Sequence, residues 1–304
     1  MTVWDPEALG RIQHLHLVAS RVVDGLLHGN HRSTRVGPNV EFADYKEYSP
    51  GDPIRDLDWR VLGRADRYVV RRYEAETDLA CYLIFDASGD LSTGRRSSYG
   101  RPPLEGSKFG YALTLTATLA YFLHRQQEPV GLMVMGGDGL RNVLVPARTG
   151  RTHLAQIFGV LASLVPGGRA ELGKAIATVA PRVRRRSLVA VVSDFMEEPE
   201  GWTSALSALA KRRTDLVAFH VLDRQELTLD FEQPTIFYSP EGGEDLVVDP
   251  VTAAPDFAGV VSEFLTEVRG AVVSNRGRYY ASWTDRPLES VMRPMIHGAV
   301  DKGL

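Results

Sequence analysis

The sequence predicts an α/β fold, a doubly wound and mostly parallel sheet with a small N-terminal α+β lobe. Two observations carry this. From Asp78 onward, nearly continuous apolar segments alternate with amphipathic stretches of helical period, the pattern of strands covered on both faces by crossover helices. Before Asp78, a single amphipathic stretch is followed by a segment crowded with turn residues, paired charges and aromatics. The domain limits drawn from this change are 1–77 for the lobe and 78–304 for the sheet domain.

Residues 6–28 place Leu9, Ile12, Leu15, Leu17, Val18, Val22, Val23, Leu26 and Leu27 at helical spacing, and Gly29 stands as a C-cap. A strand is expected over Val40–Tyr45 and a second over Tyr68–Tyr73. Between them Ser49-Pro50-Gly51-Asp52 reads as a turn. Asp52 as N-cap and Pro53 as first helical residue should open a helix that turns Ile54, Leu57, Trp59 and Leu62 inward.

In the second region the expected strands are Leu79–Phe85, Val130–Met135, Leu188–Val192, Leu216–Val221 and Tyr279–Trp283. Helices are expected near Lys108–Arg125, Thr152–Leu164, Leu172–Val183, Gly201–Arg212 and Phe257–Val273. Asn142–Val145, after the glycine turn at Gly136–Gly139, should form an antiparallel edge hairpin. Thr235–Tyr238 and Leu246–Val248 flank Gly242-Gly243 and read as a hairpin insertion near 235–248.

Composition excludes several classes. The 304 residues are 44% hydrophobic and 24% charged with a net charge of -3, which describes a globular chain without the basic surplus of a nucleic-acid binder. Apolar runs end well short of the ~20 residues of a membrane span, and no leader pattern opens the chain, so the expected location is cytoplasmic. The single Cys81 lies in an apolar strand and reads as a buried structural thiol. The arginines at 182 and 184–186 read as helix C-terminal partners, and those at 60, 64, 67, 71 and 72 as partners of nearby carboxylates. His14 and His16, two apart on a helix, share no face for a metal. No Walker loop, dinucleotide fingerprint, H-E-x-x-H or G-x-S-x-G is present.

The run from Glu41 to Trp59 resembles the pattern E-F-x-x-x-R-x-Y-x-x-G-D-x-x-R-x-I-D-W of the family called domain of unknown function 58. Glu41, Phe42, Tyr48, Gly51, Asp52, Arg55, Asp58 and Trp59 match it, while Lys46 stands for the arginine and Leu57 for the isoleucine. The resemblance continues through Asp86-Ala87-Ser88, Gly131-Leu132, Gly167-Gly168 and Ser193-Asp194-Phe195. Family members carry a lysine where Lys108 opens a helix, with its stem expected to pack over the site.

Two strands end in polar residues, Asp86-Ala87-Ser88-Gly89-Asp90 and Ser193-Asp194. Ligands in open α/β sheets bind beyond such carboxyl ends. The arrangement is similar to that of a von Willebrand factor A domain, whose metal-ion-dependent adhesion site takes D-x-S-x-S from the first strand, a threonine from a later loop and a further aspartate. The resemblance implies Asp86, Ser88, Asp90 and Asp194 as ligands of Mg²⁺, a hard ion suited to oxygen donors. The match departs at two points: Asp90 stands for the second serine, and Arg169-Ala170-Glu171-Leu172 offers no threonine. Either a divalent cation sits among the aspartates, or the site is degenerate and a guanidinium such as Arg169 neutralises them.

The function these readings imply is a non-enzymatic interaction scaffold or adaptor. Because family members are commonly encoded beside MoxR-type AAA+ ATPases, such an ATPase is the implied partner. The alternative is a metal-dependent phosphohydrolase using Asp86, Asp90 and Asp194.

Overall fold

The computed structural model describes residues 6–28, 41–49, 58–65, 67–74, 80–92, 106–137, 142–228, 235–237 and 246–297. Chain contacts divide it into two compact units, 35–78 and the combination of 1–34 with 79–304. The first helix, α1 (Pro6–His28), falls in the second unit. This corrects the expected limit at residue 77. The reason is the apolar stripe of α1: Leu15, Ala19, Val22, Val23 and Leu26 are buried in one of the two sheet-face cores.

The small unit pairs β1 (Glu41–Glu47) with β2 (Val69–Glu74) in antiparallel register, Phe42 opposite Tyr73 and Glu47 opposite Val69. The Tyr48 and Asp58 amides extend the pairing to the Tyr68 and Val69 carbonyls, both at 2.9 Å. Helix α2 spans Trp59–Ala65. Asp58 is buried and its carboxylate accepts from the Val61 amide at 3.3 Å, so Asp58 acts as the N-cap of α2. Gly51, Asp52, Arg55 and the expected Asp52-Pro53 helix start lie outside the described residues. Trp59, expected to face inward, is 62% exposed. It is the first residue after the cap, ahead of the half-buried pair Val61 and Leu62.

The large unit is built on β3 (Cys81–Ala87), α3 (Lys108–Arg125), β4 (Val130–Gly136), β5 (Val143–Arg148), α4 (Arg151–Ser163), α5 (Leu172–Val179), β6 (Leu188–Ser193), α6 (Pro199–Lys211), β7 (Asp215–Leu222) and α7 (Arg224–Thr228). A short antiparallel hairpin, β8 (Thr235–Phe237) with β9 (Leu246–Val248), precedes α8 (Pro250–Ser274), β10 (Arg278–Trp283) and α9 (Glu289–Ile296). The sheet order is β10-β7-β6-β3-β4-β5, parallel except for β5, which pairs antiparallel with β4 as the edge strand.

Alternation along β3 divides the core. Leu83, Phe85 and Ala87 join the face covered by α1, α3, α4 and α9, while Tyr82 and Ile84 join the face covered by α5, α6 and α8. Cys81 is buried in this strand, as expected, and burial pushes its thiol up to about 12. Helix α5 is shorter than expected because Pro181 follows it, leaving a single 3-10 turn at Ala180–Arg182. Among the described residues no helix is long and apolar enough to cross a membrane.

Candidate functional site

Strands β3 and β6 are sheet neighbours, yet the chain leaves β3 towards β4 on one side and β6 towards β7 on the other. Their carboxyl ends therefore form the switch point of the sheet, where the topology itself leaves a crevice. Asp86, Ser88, Asp90 and Asp194, from segments about a hundred residues apart, line a single cavity of about 600 Å³ there. The four residues singled out in the sequence thus come together.

Backbone bonds hold the crevice. The Gly167 amide donates to the Ala87 carbonyl and the Gly89 amide to the Gly168 carbonyl, both at 2.9 Å. At the end of β4, Gly136 has φ +74°, and a Cβ added there would come within 2.8 Å of the Ser88 amide nitrogen. Glycine is required by both conformation and space. After β6, Phe195 takes φ +55°, a left-handed conformation that costs a non-glycine residue about 1 kcal/mol or more. Two side-chain turns stabilise it: the Phe195 amide donates to Ser193 Oγ at 2.9 Å and the Met196 amide to Asp194 Oδ1 at 3.2 Å.

Asp86 is buried and both its oxygens are engaged, Oδ1 by the Ser88 amide at 2.8 Å and Oδ2 by the Ser193 hydroxyl at 2.6 Å. Burial, and then the neighbouring charge of Asp194, push its pKa up to about 7. Asp90, half-buried, is shifted in the same direction by the same two causes, opposed by the charges of Lys108 and Arg169.

The residue that sequence reasoning undervalued is Lys108. It is the first residue of α3, whose N-cap Ser107 accepts from the Gly110 amide at 3.0 Å. Its ammonium donates to Asp194 Oδ2 at 2.8 Å and to Glu226 Oε2 on α7 at 2.6 Å, with the Lys108 and Asp194 side chains each only 2% exposed. A cation at a helix N-terminus is opposed by the helix dipole, and a buried one is tolerated only when paired. Burial would lower the ammonium's pKa, but the charges of Asp194 and Glu226 outweigh it and hold Lys108 above its ordinary value. Burial lifts Glu226 despite the facing ammonium.

The donors as arranged do not fit a divalent cation. Asp194 has one oxygen on an amide and the other on an ammonium, and both oxygens of Asp86 accept bonds. Among the described residues no three His, Cys, Asp or Glu side chains gather in a form that could hold a metal. Arg169, expected from the sequence to neutralise the aspartates, acts through its charge on Asp90, opposing that residue's upward shift. It is exposed on the outer wall of the cavity.

Around the rim stand Glu171, Glu197 and Glu198. Glu197 Oε2 accepts from the Leu172 amide at 2.7 Å and so caps α5 from the neighbouring loop. Behind the site His220 is fully buried, with Nδ1 2.8 Å from the Tyr279 hydroxyl and its ring packed edge-on to Phe195. Burial drives its pKa down to about 3, so it is neutral.

Elsewhere, Arg182 donates to the Thr178 carbonyl at 2.6 Å and Arg212 to the Ala180 carbonyl at 2.7 Å, both at the end of α5. Arg67 pairs with Glu47 at 2.6 Å. His16 packs edge-on against Tyr121 and Phe158.

The sheet order, the antiparallel edge strand and the carboxylate-ended switch point define a von Willebrand factor A-like α/β protein. Solved structures similar to this chain include an aerotolerance-related membrane protein from Bacteroides fragilis, 16% identical, with a TM-score of 0.46 over 74% of this chain and 100% of that one. The conserved hypothetical protein BatB from Bacteroides thetaiotaomicron is 17% identical, with a TM-score of 0.43 over 72% of this chain and 96% of that one. The chain belongs to the family described as protein of unknown function DUF58, whose model matches residues 44–258. The uncharacterized protein Rv1480 of Mycobacterium tuberculosis is 28% identical over 269 residues, 87% of this chain and 81% of that protein.

Proposed function

We propose that this protein is a non-enzymatic interaction module, an adaptor that acts in the cytoplasm with a MoxR-type AAA+ ATPase. The observation that supports it most is the open cavity at the sheet switch point, whose acidic rim, Asp90, Glu171, Glu197 and Glu198, outweighs the single Arg169. Such a surface favours a basic side chain of a partner and discourages acidic ones. The ATPase is proposed from the genomic company of the family.

The groups that hydrolysis would need are otherwise engaged. Ser193 donates its buried hydroxyl to Asp86, and His220 is neutral and sequestered behind the sheet end. The competing reading is the metal-dependent phosphohydrolase on Asp86, Asp90 and Asp194. Affinity purification from the native cell separates the two. Recovery of a stoichiometric AAA+ ATPase, lost on Glu171→Lys together with Glu198→Lys, is expected. Phosphoester turnover that disappears in Asp86→Ala and Asp194→Ala would replace the adaptor with the enzyme.

A further inference from the structure

We propose that the ammonium of Lys108 occupies the electrostatic place of a divalent cation at the strand-end site, so that this protein engages its partner without metal. The inference deepens the interaction reading and rests on it for its consequence, but its test contains no partner.

The geometry is specific. Asp194 follows β6 at the switch point, where the aspartate of a metal-dependent adhesion site would stand, and its Oδ2 is taken by Lys108 at 2.8 Å. The same ammonium is held from the other side by Glu226 at 2.6 Å. Two carboxylates from elements following different strands thus converge on one buried cation supplied by the chain. A dication against Asp194 would lie within a few ångströms of that ammonium in a poorly screened interior, where like charges repel strongly. The loop that would contribute a threonine hydroxyl instead presents Arg169, a second cation at the mouth. The sign of recognition changes as a result. A bound metal offers a vacant position to a partner's carboxylate, whereas the ammonium is enclosed and the accessible rim is acidic, so the group selected is a basic one.

The test uses the purified full chain and Mn²⁺ alone, with free Mn²⁺ followed by paramagnetic resonance and stability followed by thermal unfolding. The parent protein should show neither saturable binding nor a melting shift. Arg169→Thr, which restores a hydroxyl but leaves the ammonium, should behave like the parent. Lys108→Met, which keeps the stem and removes the charge, should gain Mn²⁺ affinity by about tenfold or more, and Lys108→Met with Arg169→Thr should bind tightest. Because Lys108→Met leaves carboxylates unpaired, it can require the ion to fold; folding restored by Mn²⁺ supports the proposal equally. Saturable binding by the parent that is lost in Asp194→Ala overturns it. So does a Lys108→Met protein that folds and ignores Mn²⁺, or one that stays unfolded in Mn²⁺ while Lys108→Met/Asp194→Asn/Glu226→Gln folds. The partner pull-down can fail without touching any of these results.

Discussion

Lys108 and Asp194 stand 86 residues apart, yet their charged atoms meet at 2.8 Å with both side chains almost wholly out of water. The pair joins the start of α3 to the end of β6 across the switch point. Its removal from one side leaves an uncompensated charge on a side chain that is almost wholly buried.

Lys108→Met is therefore expected to lower unfolding free energy by about 3 to 5 kcal/mol, and Asp194→Asn by less, since an amide still accepts from the ammonium. The double variant should be more stable than the sum of the single losses implies, with a coupling of about 1 kcal/mol or more. Urea unfolding of the four proteins measures this. Strict additivity would mean that the two charges do not interact in solution.

Asp86 and His220 should mask one another in the pH profile. Asp86 titrates at about 7 when folded against an ordinary 3.8, so its contribution is full below about 3.8 and is lost as pH rises to about 7. His220 is displaced the other way, to about 3 from 6.5, so its contribution is present above about 6.5 and lost as pH falls towards about 3. Asp86 faces Asp194, Ser88 and Ser193, while His220 faces Asp194, Lys108 and Tyr279. Between pH 4.5 and 6.5 the two slopes, each ~1.4 kcal/mol per pH unit, oppose. Asp86→Asn should make stability rise with pH over that range, and His220→Gln should make it fall. Parallel profiles for the parent and both variants would contradict the assignment.

Trp59 and Trp202 should behave as opposites. Trp202 is fully buried, packed near Phe195 with its indole nitrogen donating to the Glu197 carbonyl at 3.3 Å. Trp202→Ala should cost about 3 to 5 kcal/mol. Trp59→Ala, at an exposed position, should stay within ~0.5 kcal/mol of the parent. Equal losses in thermal unfolding would show that Trp59 is covered in solution.

Glu197→Ala should loosen the start of α5, because the Leu172 amide loses a charged acceptor. The expected cost is about 1 to 2 kcal/mol, with Glu197→Gln recovering most of it. Hydrogen exchange at the Leu172 amide reads the effect locally; unchanged protection in Glu197→Ala would argue that the cap does not form.

The parallel strands of the large unit were legible because burial on both faces writes itself as uninterrupted apolar runs such as Cys81–Phe85 and Val189–Val192. Asp86, Ser88, Asp90 and Asp194 were legible as a group because polar residues closing such runs stand at one sheet edge. The ion triad was not. Glu226 lies 118 residues from Lys108 on a five-residue helix without a periodic pattern of its own, and no spacing rule links them. One signal was available: a lysine as first residue of a helix with no acidic residue in its first turn and an otherwise apolar body is electrostatically misplaced unless a distant anion meets it. Helix α1 was assigned to the lobe because chain order suggests neighbourhood, whereas its stripe is completed by helices that follow much later. Trp59 was turned inward because a helix was begun at Pro53, which made it an interior helical position, whereas it is the first residue after the Asp58 cap.

The separation of Lys108 from its two anions also sets a clock on synthesis. When α3 emerges from a ribosome, neither Asp194 nor Glu226 exists, and at ~10 residues per second the second anion follows about 12 s later. Until then the ammonium of Lys108 lacks at least one of the two carboxylates that hold it in the folded protein. The triad is thus complete only once residue 226 has been made, so the crevice at the sheet edge cannot take its native charge before α7 exists.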